Sequence, residues 1–276
     1  MKTINTLKKV SLATFLTFVL SFSSVFAQND TMYIMKSGAI VGQYNVNTEV
    51  DSVIFYKPTI KEPTSGTFTD SRDGNEYNWV KIGDQVWMAE NLAYLPSVNM
   101  VNDGSEDAAG SYYYVYGYDG TNVTDAKATA NYTTYGVLYN WTAAMDGETS
   151  STTNPSGIQG VCPTGWHLPS DAEWTELTEY LGGTSDAGGK LKETGTTHWN
   201  SPNTGATNET GFTALPGGYR IDNDSSGDIG YYGFWWSATG SNAADAWFRY
   251  MDYSNSSVSR SNYFKEVGFS VRCVRD

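Results

Sequence analysis

Only two cysteines occur in this 276-residue chain, Cys162 and Cys273, and their use limits the folds and chemistries open to it. They lie behind an N-terminal stretch built like a secretory leader. Lys2, Lys8 and Lys9 supply a positive start, Val10 to Leu20 an apolar core, and Val25 and Ala27 the −3 and −1 residues of a cut ahead of Gln28. The apolar run is too short and too rich in hydroxyls for a membrane span, and no later segment could cross a bilayer. No cysteine follows the cut, which speaks against a lipid anchor. An exported chain with a small, even cysteine count predicts one disulfide. Closing so long a loop would stabilise a fold by about 4–5 kcal/mol through chain entropy. The expected location is secreted, periplasmic or on the cell surface.

Two thiols cannot build a four-thiolate zinc site, and two histidines, His167 and His198, leave few soft ligands for a transition metal. Charge narrows the partners. Asp plus Glu number 30 against 17 Lys plus Arg, a formal net charge of −13. There is no basic stripe to displace counterions from phosphates, so nucleic acid is excluded as a partner, and docking on an anionic bilayer is disfavoured. With 9 Trp, 20 Tyr and 11 Phe, the chain is too aromatic to be disordered.

Three regions follow the leader at 1–27. Residues 28–57 read as a small β appendage with strands at Met32 to Met35, Ala39 to Tyr44 and Ser52 to Tyr56. Residues 58–66, with two prolines and a Ser-Gly, read as a linker. The main domain runs from 67 to 276. Asp73-Gly74-Asn75 is a hairpin turn, and Gly83-Asp84 turns the chain again. Two helices are predicted. Gly136 to Met145 carries an apolar stripe of Val137, Leu138, Trp141, Ala144 and Met145. The second begins with the capping box Ser170-Asp171-Ala172-Glu173, places Trp174, Leu177 and Leu181 on one face, and stops at Gly182-Gly183. Short aromatic strands are expected at Gly233 to Thr239, Ala246 to Tyr253 and Gly268 to Val274. The fold class is therefore α+β: two helices, short antiparallel sheets and long loops.

Six ordered strings carry a resemblance: Val80 to Leu92 (VKIGDQVWMAENL), Gly136 to Trp141 (GVLYNW), Cys162 to Trp174 (CPTGWHLPSDAEW), Gly211 to Arg220 (GFTALPGGYR), Trp235 to Thr239 (WWSAT) and Gly268 to Asp276 (GFSVRCVRD). Together they resemble the Fibrobacter succinogenes major paralogous domain, found in exported and surface proteins of Fibrobacteres and Bacteroidetes. The resemblance implies a variant of the C-type lectin fold, with a disulfide from the start of the second helix to the last strand. Cys162, shortly before Ser170, and Cys273 suit that bond.

Sugar-binding C-type lectins hold calcium with a Glu-Pro-Asn or Gln-Pro-Asp triplet and a Trp-Asn-Asp strand motif. This chain has Ser201-Pro202-Asn203 and Trp236-Ser237-Ala238, which lack the needed oxygens, so the sugar-coordinating calcium is not expected. Calcium remains the one candidate cofactor, at Asp222, Asp224, Ser226 and Asp228, a half-matched calcium loop with Gly233 where a bidentate Glu would stand. The bland alternative there is a solvated acidic turn. Formylglycine-generating enzymes share the broader fold but need a reactive cysteine pair, which a structural bridge would consume. Glu173, Glu176 and Glu179 read as a solvated helix face rather than a glycosidase pair. His167 reads as a buried structural residue.

The best binding candidates are aromatic. Alternation in Ala246 to Tyr253 puts Trp247, Arg249, Met251 and Tyr253 on one face and Phe248, Tyr250 and Asp252 on the other. Trp235 and Trp236 point oppositely, so one is expected in the core and one at the surface. Variable proteins of diversity-generating retroelements, which are C-type-lectin-like, display ligand contacts from a similar region. The expected contacts are therefore Trp235, Trp236, Trp247, Arg249, Tyr253 and Arg220. The sequence thus points to an exported, non-catalytic binding or adhesion protein for an extracellular glycan or protein. The alternatives are an enzyme related to formylglycine-generating proteins and a structural component of a surface assembly.

Overall fold

A computed structural model describes residues 31–36, 38–45, 64–104, 107–221 and 225–276. The expected leader, the third strand of the appendage, residues 58–63 of the linker and Asp222 to Asp224 lie outside them. The chain divides between residues 62 and 63 into two units. The described part of the first is a hairpin, β1 (Thr31–Lys36) with β2 (Ala39–Asn45), antiparallel and reversed through Gly38 at φ +83°. Only glycine enters that left-handed region without cost.

The second unit is a mixed α/β domain with a few short helices and several short antiparallel sheets. It opens with β3 (Ser65–Thr69), β4 (Glu76–Ile82) and β5 (Gln85–Met88). Ser65 and Gly66, read as linker, are thus the first strand residues. Then come β6 (Tyr113–Tyr114), α1 (Val123–Lys127), α2 (Ala130–Tyr135), β7 (Leu138–Tyr139) and α3 (Trp141–Met145). Between 103 and 134, a stretch rich in Gly, Asn, Thr, Asp and Tyr, two short helices form. They start at Asn122 and Thr129, whose side chains accept the first free N–H groups. The first predicted helix is shorter than expected. Residues 138–139 are extended, and Asn140 caps a helix that begins only at Trp141.

After β8 (Trp166–His167), α4 (Asp171–Tyr180) forms as predicted. Ser170 Oγ accepts from Glu173 N, and Glu173 Oε2 accepts from Ser170 N at 2.9 Å. A further helix, α5 (Thr184–Leu191), follows at once. The chain ends with β9 (Tyr219–Ile221), β10 (Ser225–Gly227), β11 (Tyr232–Gly240), β12 (Asp245–Asp252), β13 (Val258–Phe264) and β14 (Val274–Arg275).

Two sheets organise the domain. The larger has the order β3-β4-β5-β14-β8, so the first and last strands of the domain share it. The other is β11-β12-β13. Cys162 and Cys273 are bonded across 111 residues and both are fully buried. The bridge ties the segment ahead of α4 to the residue before β14.

Strand β11 divides the core in two. Trp235 faces one half, with Trp87, Trp174, Phe212 and Met251. Trp236 faces the other, with Trp141, Tyr139, Phe248 and Phe269. The core is built from rings in place of many aliphatic chains: Trp87 and Trp174 lie 4.7 Å apart, Trp236 and Phe269 4.5 Å. Offset and tilted pairs at such distances add about 0.5–1.5 kcal/mol each beyond the area they bury.

Candidate ligand-binding site

The alternation expected in β12 is present, but the solvent-facing side is the opposite one. Residues 235, 249 and 251 face α4 and the core. Trp235 pairs with Arg249 across the sheet, and Gly233 with Met251. Arg249 is buried. Its guanidinium bonds the carboxylate and carbonyl of Asp171 and the Thr175 hydroxyl, at the first turn of α4. Burial alone would raise the Asp171 carboxyl; hydrogen bonds and charge from Arg260 and Arg249 hold it below the usual carboxylate range. Trp247 is half-buried beneath the Arg260 guanidinium, 3.3 Å from its ring centre. A ring face so covered is not free for a ligand.

The other expected contacts also turn inward. Trp235 and Trp236 are both 0% exposed, because each face of β11 is covered at that level. Trp235 Nε1 donates to Asn91 Oδ1 and Trp236 Nε1 to the Tyr139 carbonyl. Arg220 is buried over the Tyr114 ring and donates to the carbonyls of Val101, Asp103 and Glu266. Tyr253 is half-buried and packs edge-on against Tyr231. Of the calcium-loop residues, Asp222 and Asp224 lie outside the described residues. Ser226 is a strand residue paired with Arg220, and Asp228, at φ +61°, follows β10 with its carboxyl pushed up by burial. Among the described residues no group of three or more His, Cys, Asp or Glu side chains is placed to hold a metal.

What opens to solvent is the even-numbered face of the same sheet. Phe234 pairs with Tyr250, and Trp236 with Phe248. Toward Trp236 this face is covered by Phe269. Between Phe234 and Tyr263 it opens into a cleft of about 270 Å3. Phe234, Phe248 and Phe269 form its floor, with Phe234 and Phe269 stacked at 5.0 Å. Tyr219 and Ile221 of β9 make one wall, Tyr263 and Val267 the other. Tyr232 and Tyr250 extend the ring surface beyond Phe234. Tyr263, 38% exposed, and its neighbour Phe264, 44% exposed, stand at the edge on β13. β13 was not foreseen, because Ser, Asn and Arg interrupt its apolar alternation.

The titratable groups that would attract a catalytic reading are engaged in the frame. His167 bonds Glu173 Oε1 through Nε2 and Asp276 Oδ1 through Nδ1, each at 2.7 Å. Glu173, expected on a solvated face, is buried, because the capping box and His167 draw it inward. Arg272 is fully buried; it donates to Asn91 Oδ1 at 3.0 Å and to the Phe212 and Thr213 carbonyls, and burial lowers it to about 9.

A disulfide-pinned mixed α/β domain with an aromatic core and one open aromatic sheet face is the class these features define. The profile of the Fibrobacter succinogenes major domain matches residues 80–275. The chain belongs to the Fibrobacter succinogenes major domain family. No curated protein and no solved structure matches it.

Proposed function

We propose that this is an exported, non-catalytic ligand-binding or adhesion protein whose domain has a C-type lectin-like fold and holds an extracellular glycan or protein. The observation that carries this reading is the open ring-lined cleft on the β11-β12-β13 sheet. A ring-lined cleft left open at the solvent boundary, in a domain that buries Trp235, Trp236 and Trp174 completely, supports a contact site for an anchoring group. The bridge from the segment ahead of α4 to the strand β14 supports the lectin-like topology. It also supports an oxidising compartment, in keeping with the leader-like N-terminus. The non-catalytic part draws on the same bridge, since the formylglycine-generating alternative needs reactive thiols and both sulfurs here are bonded to each other. The reading requires no metal.

The test is a screen of the secreted protein on glycan and protein arrays beside a Tyr263→Ala variant. Tyr263 sits at the cleft edge, so its truncation spares the core. Loss of one anchoring ring should weaken the bound ligand about 5–30-fold, the effect of about 1–2 kcal/mol at a contact of this kind. Ligands retained with unchanged affinity would place binding elsewhere and overturn the assignment of the cleft.

A further inference from the structure

The chemistry of the cleft narrows what can enter it. Its walls are apolar except for the hydroxyls of Tyr219 and Tyr263. A sugar ring carries several hydroxyls, and each one buried without a partner costs about 1–3 kcal/mol. One stacking contact does not recover several such losses. At about 270 Å3 the cleft also falls below the range of about 300–1,000 Å3 found for pockets that enclose whole small ligands. One aromatic or branched aliphatic side chain fits both its polarity and its size.

The surroundings of the cleft add a sign. Asp252 lies directly opposite Tyr232 on the same sheet face, one residue pair beyond Phe234 and Tyr250. Its carboxylate accepts from the neutral donors Ser254 N and Asn255 Nδ2, and the buried Lys192 ammonium, bonded to the Asp252 backbone carbonyl, offsets its charge only in part because it is shared with two further carbonyls. Asp228 follows β10, next to the Gly227–Tyr219 pair, and its carbonyl accepts from Tyr231 N and Tyr232 N, at 3.0 Å each. Burial, and after it the charges of Asp252 and Asp228, pushes the Tyr232 hydroxyl up, and burial with the charge of Asp228 pushes up that of Tyr219. The other neighbouring cations are turned elsewhere. Lys265 Nζ donates to the Asn242 and Ala243 carbonyls over the Trp141 ring, and Arg220 is buried on backbone carbonyls. The chain as a whole carries −13, which steers cationic surfaces toward it.

Taking the ligand-binding reading as its basis, we propose that the cleft seats one apolar side chain of a protein partner, and that lysines or arginines flanking this anchor pair with Asp228 and Asp252. The sheet face supplies the anchor pocket and the acidic edge supplies the selectivity.

The probes are three immobilised heptapeptides with a central Phe, flanked by Lys, Ser or Glu, and a neutral cello-oligosaccharide. They are read against the whole secreted protein, Tyr263→Ala and Asp252→Asn. The expected order is Lys above Ser above Glu, with the Lys peptide at least about tenfold tighter than the Glu peptide in low salt. That gap should shrink as salt screens the charges and narrow in Asp252→Asn, while Tyr263→Ala weakens all three peptides together. Equal binding of Lys and Glu peptides would overturn the acidic edge. A cello-oligosaccharide that binds, and is lost in Tyr263→Ala, would overturn the protein-anchor assignment and leave the wider ligand-binding reading standing. If neither peptides nor sugar bind, the anchor proposal falls, and the array screen alone decides the wider reading.

Discussion

At the scale of single residues, buried charge is used as internal rigging. Lys192 is fully buried just beyond α5, with Nζ donating to the carbonyls of Thr204 at 3.1 Å, Asp252 at 2.8 Å and Asn255 at 2.7 Å. One ammonium thereby ties the loop at Thr204 to the end of β12 and the turn after it, beside a single backbone bond from Thr204 N to the Tyr253 carbonyl. Burial lowers it to about 8, a desolvation cost that the three charge-assisted bonds offset. Lys192→Met keeps the stem but strands three buried acceptors. It should cost about 2–3 kcal/mol in urea denaturation, since bonds to a charged group contribute about 1.5–3 kcal/mol each and the relief of desolvation returns part of that. Unchanged stability would show that the loops stand without it. His167 makes a pH-dependent contribution. Burial alone would lower its pKa, but the bonds and charges of Glu173 and Asp276 outweigh this and hold it above 6.5. Its stabilisation is therefore complete below pH 6.5 and lost as pH rises through the raised value. The melting temperature should fall across that window in the parent protein and stay flatter in His167→Gln.

At the scale of elements, the legible parts of the sequence were those with local chemistry. Ser170 and Glu173 wrote the start of α4 into four residues, and Gly83-Asp84 placed the turn between β4 and β5. Helix α5 was not legible. Thr184-Ser185-Asp186-Ala187-Gly188-Gly189-Lys190-Leu191 has weak helix propensity, with two glycines costing about 1 kcal/mol each against Ala. Tertiary packing overrides it, because those glycines let the helix lie directly on backbone. A Cβ on Gly188 would collide with the Ser257 carbonyl, and one on Gly189 with the Gly205 carbonyl. Gly188→Ala should therefore destabilise by about 2 kcal/mol net, the clash exceeding the propensity gain. The check is urea denaturation together with faster amide exchange at 254–257. The site was legible only in part. The two-residue period of β12 was readable and placed Phe248 and Tyr250 together. Which face meets solvent was not, since that depends on α4 and on Phe269 arriving from distant sequence. Tryptophans 235 and 236 looked like a core-and-surface pair for the same reason: nothing local announces a strand covered on both sides.

At the scale of the whole molecule, one covalent bond governs the entropy of more than a third of the chain. Opening Cys162–Cys273 by a double serine replacement should remove about 4–5 kcal/mol by the loop-entropy argument. The melting temperature should drop by a matching amount, while reductant should no longer affect the variant. A parent protein indifferent to reductant at its melting temperature would show the bridge to be dispensable. The bridge also has a mechanical consequence. If tension is applied across the ends of the domain, the 111 residues spanned by the bond cannot be drawn out even after the sheets part. At about 3.3–3.6 Å per extended residue, some 370–400 Å of slack is withheld. An oxidised molecule pulled in a single-molecule stretch would yield a short extension. A reduced one would yield a long one, so the sulfur bridge acts as a limiter on how far this tether can pay out under load.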